Sequence, residues 1–178
     1  GVVTPPKTFT TILNQGIWKT FITRLPWITV GLIGGVFAAQ IIESFEEVLA
    51  KNIALAGFIP LIVYISDAVG TQTEVFLIRD IAFYPKLKIL SYTIKQFVIT
   101  VLIGIVCGSL TWALIFLFWQ SAFLATIIGL ATLIAISSTT IISICIPYSL
   151  FLIKQDPASG SGPFATILQD LLLSLIHI

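Results

Sequence analysis

Residues 52–79 read NIALAGFIPLIVYISDAVGTQTEVFLIR. The run exceeds the roughly 20 apolar residues needed to cross a bilayer core. Pro60 and the polar stretch SDAVGTQTE at 66–74 interrupt its apolar character. Asp67 and Glu74 lie inside this run, and Asp170 lies inside another. A charge at the bilayer centre costs about 2.5–3.5 kcal/mol on insertion scales. Three carboxylates facing lipid would be prohibitive, so they must face water, cations or one another. That pattern points to a cation pathway.

Composition agrees. Of 178 residues, 57% are hydrophobic and 10% charged, and the mean hydropathy is +1.08. A soluble domain has about 25% charged residues. This chain is therefore read as an all-α integral membrane protein. A net charge of +1 and the lack of a long basic run argue against nucleic acid as a partner. Cys107 and Cys145 lie in apolar segments with no CxxC pattern and read as small buried hydrophobes.

Five membrane segments are expected, at about 27–44, 52–79, 92–119, 122–153 and from Phe164 to the end. Residues 1–26 read as a linker followed by a short amphipathic helix. The helix spans residues 8–24, with Phe9, Ile12, Leu13, Ile17 and Phe21 at helical spacing. Residues 27–178 form the five-helix transmembrane domain, with Pro26 and Trp27 starting the first span. The chain has no Met and begins at Gly1, which reads as a processed piece lacking an upstream soluble domain. Lys7, Lys19, Arg24, Arg79, Lys86, Lys88, Lys95 and Lys154 fall on one side of the membrane, and only Lys51 on the other. The positive-inside rule then places the N-terminus in the cytoplasm and the C-terminus outside a multi-pass cell-membrane protein. Gly104 and Gly108 form a GxxxG pattern, which suits close helix packing within a subunit or between subunits.

Asp67, Thr71 and Glu74 recur at i, i+4 and i+7, on one helix face. Ser66, Gly70, Gln72 and Thr73 lie beside them. The last segment opens with DPASGSGPFATILQD at 156–170, where Gly160 and Gly162 suit a loop, Ser161 a cap and Pro163 a first helical turn. Two spans of opposite direction then bring acids to similar depth, which attracts cations. Every candidate ligand atom is a hard oxygen, which suits Mg²⁺, Ca²⁺ or Mn²⁺.

Four segments carry a family resemblance: RLPW at 24–27, FEEVLAKNIALAGFIPL at 45–61, VGTQTEVFLIRD at 69–80 and DPASGSGPFATILQD. They are similar to the membrane domain of MgtE-type magnesium channels and transporters. The resemblance implies a homodimer with five helices per protomer and a pore at the dimer axis. The second and fifth helices line it, and Asp170 matches the aspartate that holds the hydrated ion. The expected metal site is Asp170, Asp67 and Glu74, with Ser66, Gly70, Thr71, Gln72, Thr73, Gly162 and Thr166 lining the path. The chain departs from the family at Ser66-Asp67-Ala68, where Gly-Gly-Asn is usual, and at Glu74, where a small residue is usual. The family's cytosolic regulatory domain is absent from these residues.

The implied function is passage of a divalent cation, Mg²⁺ foremost, through a carboxylate-lined pore. The alternatives are a H⁺- or Na⁺-coupled transporter of Mn²⁺ or another divalent ion, and an intramembrane aspartyl protease using Asp67 and Asp170. The protease reading lacks the expected Gly-x-Gly, because Leu168 and Gln169 precede Asp170. A non-catalytic membrane subunit would not need three buried acids.

Overall fold

The computed structural model describes residues 15–43 and 53–176. Five long helices account for nearly all of them: α1 (Ile17–Glu43), α2 (Ile59–Phe83), α3 (Ile89–Trp119), α4 (Ala122–Leu152) and α5 (Pro157–Ile176). A single helical turn, Ile53–Ala56, leads into α2. Four spans are long and apolar enough to cross a membrane: Ile17–Ile41, Ile53–Phe83, Ile89–Trp119 and Ala122–Leu152. Helix α5, with its polar first half, is not among these four. Residues 1–14 and 44–52, which hold the expected linker, the start of the amphipathic helix, Glu46, Glu47 and Lys51, lie outside the described residues.

Two boundaries differ from the sequence reading. The helix does not break before Pro26; Ile17–Arg24 form the first turns of α1, continuous with the first span. Proline removes one intrahelical donor, yet a membrane helix tolerates it when nearby groups take up the freed backbone. At the other end, α5 starts at Pro157 rather than near Phe164, and Ser161 is not its cap. Asp156 takes that role: its Oδ1 accepts from the Ala158 N–H at 3.0 Å and its Oδ2 from the Ser159 hydroxyl at 3.3 Å. Pro157 follows at the first helical position, where its missing N–H costs nothing.

The Gly-Ser-rich run reads locally as a loop, but it is helical because its small residues pack against α1. A Cβ at Gly160 would meet the Trp27 ring at 3.0–3.1 Å, and one at Gly34 would meet Ile167 at 2.6 Å. Small residues let helices approach closely in lipid, where no hydrophobic drive holds them together. The GxxxG of α3 works in the same way within the subunit. A Cβ at Gly108 would lie 2.7 Å from the Gly129 carbonyl of α4, and one at Gly104 would lie 3.1 Å from the Leu133 carbonyl.

Helix α4 is central and packs against α2, α3 and α5, while α1 packs on α5. An apolar cluster around Ile62, Ile115, Ala125 and Ile128 fills one end of the α2–α3–α4 core. Leu77, Ile81 and Ile144 fill the other. Between them lies a buried polar layer with Ser66, Thr73, Thr100, Thr139, Thr140 and Ser143. Thr100 and Thr140 bond across α3 and α4, and Thr73 returns its proton to the Val69 carbonyl at 2.9 Å.

Candidate functional site

The polar layer extends into the seam between α2 and α5. These helices run antiparallel, so contacts advance along one as they retreat along the other. The Ser161 hydroxyl reaches Glu74 Oε1 and the Pro157 carbonyl. Further along, Gln169 sits against Gly70 and bonds to Thr139 and to Ser143 (3.1 Å) on α4. Further still, Asp67 and Asp170 come within electrostatic range of each other.

The seam divides the expected site residues. Asp67, Asp170 and Gly162 are half-buried, while Thr71 and Thr166 are exposed beside them. These five form an open polar edge. Ser66, Gly70, Thr73 and Glu74 are buried instead, with Glu74 only 8% exposed. Gln72 is exposed and stands about 100° round the helix from Thr71, beyond that edge. Seven residues separate Asp67 from Glu74, about 10 Å along the helix. Among the described residues, no three His, Cys, Asp or Glu side chains gather closely enough to hold a metal ion. Asp67, Glu74 and Asp170 therefore do not form a single ligand cluster within one chain.

Two polar atoms at this level are buried without a hydrogen-bond partner among the described residues, Ser66 Oγ and Asp67 Oδ1. On its other side, Asp170 opens into a groove of about 660 Å³ between α5 and α1. Thr166 lines it too, with Gly31, Gly35 and Ala39 supplying a smooth α1 wall. The sequence reading left out two braces. Gln169 anchors the turn bearing Asp170 to α4, and Ser161 holds Glu74 in the seam. The available signal for Gln169 was an amide in an apolar run, with Thr139 and Ser143 four residues apart on another span.

The divalent cation transporter family MgtE matches residues 59–177, from the start of α2 through α5. The chain belongs to the MgtE family. It is 32% identical over 157 residues to a protein of Bacillus subtilis (strain 168) named magnesium transporter MgtE, covering 86% of this chain and 35% of that one. A protein of the same name from Enterococcus faecalis is 33% identical, covering 93% of this chain and 37% of its own length. The Thermus thermophilus protein of that name is 22% identical, covering 89% and 35%. The chain thus spans about a third of the length of the curated relatives it matches. MgtE proteins are transporters, which leaves no place for the protease reading of Asp67 and Asp170.

Proposed function

We propose that this chain passes divalent cations, Mg²⁺ first among them, along the polar edge of α2 and α5. The observation that carries this reading is that Asp67 and Asp170, both half-buried, stand on the opposed helices α2 and α5 within electrostatic range of each other in an otherwise apolar bundle. Two carboxylates from one chain cannot enclose an ion. A second copy facing the first across a two-fold axis would supply two more and close the path. In this arrangement α5 is the fifth membrane span. Ser161, Gln169 and Asp170 face α1, α2, α4 and the path rather than lipid.

Mg²⁺ gives up its water reluctantly and keeps several waters when bound. Asp170 holds such a hydrated ion through its waters, with Thr166 and Thr71 hydroxyls beside it. Asp67, with one oxygen unpartnered, adds a second charge at the same depth. The hydroxyls accept and order the ion's waters, and the acids exclude anions. Glu74 and Ser66 reach the path only if the seam opens. In this reading the N-terminus is cytoplasmic, as the basic-residue asymmetry favours.

The test is Mg²⁺ uptake into proteoliposomes holding the protein, read with an internal Mg²⁺ indicator. Uptake above that of protein-free liposomes, reduced by external Mn²⁺, is expected. Uptake equal to that of empty liposomes would defeat the proposal.

A further inference from the structure

A cavity of about 460 Å³ lies away from the cation path, where α2 turns into α3. It is lined by Phe76, Asp80 and Tyr84 on the α2 side, Leu87 in the turn, and Tyr92, Lys95, Gln96 and Ile99 on α3. The lining is layered. Phe76 and Ile99 lie deeper along their helices, at the apolar end. Asp80, Tyr84, Tyr92, Lys95 and Gln96 form the polar end. Because the turn joins two membrane spans, the polar end sits at the level of lipid headgroups and the apolar end among acyl chains.

The charge at this turn is strongly one-sided. Residues 79–95 carry Arg79, Lys86, Lys88 and Lys95 against a single acid, Asp80. Asp80 is already taken: Arg79 Nε lies 3.2 Å from its Oδ1. The Arg79 guanidinium also lies over the Phe76 ring, 5.2 Å from its centroid. Lys95 is different. It is the sole charged residue of α3, six residues into a membrane span. Among the described residues its ammonium makes no ion pair. Gln96 bonds to the Tyr92 hydroxyl at 3.1 Å, which leaves both side chains arranged along the rim. A lysine inside a span needs water or an anion, and it reaches one by extending toward the interface.

We propose that this cavity holds an acidic phospholipid. Its phosphate rests on Lys95, with Lys86 and Lys88 adding to the field, and one acyl chain runs past Phe76 and Ile99. Basic pockets between membrane helices bind anionic headgroups in this way, at about 1 kcal/mol per basic side chain near the surface. The site is separate from cation passage: none of its lining residues is among those of the α2–α5 edge.

Native mass spectrometry of the protein released from nanodiscs of mixed phosphatidylglycerol and phosphatidylcholine tests the site. The wild type should retain phosphatidylglycerol in preference to phosphatidylcholine. Lys95→Gln should retain about fivefold less, the factor one such contact carries. Ile99→Trp, which fills the apolar end and keeps the charge, should also lose the lipid. Lys154→Gln, on the α4–α5 turn, should retain it in full. Excess inorganic phosphate should leave the lipid bound. Equal retention of both lipids by the wild type would overturn the proposal. So would undiminished phosphatidylglycerol on well-folded Lys95→Gln, or displacement by inorganic phosphate.

Discussion

Gln169 occupies the space left by the missing side chain of Gly70. A Cβ at Gly70 would run into the Gln169 amide and would lie 2.6 Å from Thr139 Oγ1 and 3.0 Å from Ser143 Oγ. Gln169 immediately precedes Asp170, so its amide fixes the helical turn that presents that carboxylate. Gly70→Ala should push the amide off Thr139 and Ser143. Overpacking of this kind costs about 1–3 kcal/mol. A lower melting temperature in detergent together with reduced Mg²⁺ uptake is expected. Wild-type values for both would show that the seam yields without moving Asp170.

Ser161 and Glu74 give the second prediction. Glu74 is buried, and the Ser161 hydroxyl is its bonded partner across the seam. Ser161→Ala leaves a buried carboxyl group short of a donor, a loss of about 1–3 kcal/mol. Thermal unfolding followed by tryptophan fluorescence should show the drop. An unchanged melting temperature would mean that water reaches Glu74, placing it on the ion path.

Asp67 and Glu74 share a helix stripe but not an environment, and they should separate in function. Asp67 is half-buried beside the open edge, with one carboxylate oxygen buried and unpartnered among the described residues. Its charge favours ions that shed water more readily than Mg²⁺ does. Asp67→Asn should shift the Mg²⁺-to-Mn²⁺ uptake ratio toward Mg²⁺, whereas Glu74→Gln should leave the ratio near wild type. Parallel uptake measurements with both ions decide the order. A larger shift from Glu74→Gln would reverse the assignment of the two acids.

The close approach of α3 and α4 provides a fourth, independent check. Gly108→Val places a branched side chain against the Gly129 carbonyl, which a Cβ alone would approach to 2.7 Å. Backbone cannot give way as a flexible side chain does, so the helices must separate. Destabilisation of about 1–3 kcal/mol is expected. Size-exclusion chromatography with heating should show earlier loss of the monodisperse peak. Full heat resistance would place this glycine outside the packed interface.

Much of this architecture is legible in the sequence because lipid imposes a strong constraint. Long apolar runs must be helices, and the runs around 92–119 and 122–153 are α3 and α4 within a few residues. The acids at 67, 74 and 170 stand out for the same reason. Local propensity misleads where tertiary contact overrides it. Gly160, Ser161 and Gly162 resemble a loop until Trp27 and Gly31 are seen to need a slim helix beside them. Pro26 reads as a boundary, though the helix continues through it. The i, i+4, i+7 spacing of Asp67, Thr71 and Glu74 holds in one helix. It cannot show that α5 covers Glu74 and leaves Thr71 exposed. The partner of Glu74 lies 87 residues away, and no local pattern encodes that pairing.

The central claim is that cations pass Asp170. Mg²⁺ uptake by Asp170→Ala, in proteoliposomes matched to wild type for protein content and orientation, tests it most directly. Losing a charge-assisted contact of about 1.5–3 kcal/mol corresponds to a fall of about tenfold or more. The account expects that fall with insertion and melting temperature preserved, since the substitution removes a charge from the membrane rather than adding one. Uptake at the wild-type rate from properly inserted Asp170→Ala would contradict it.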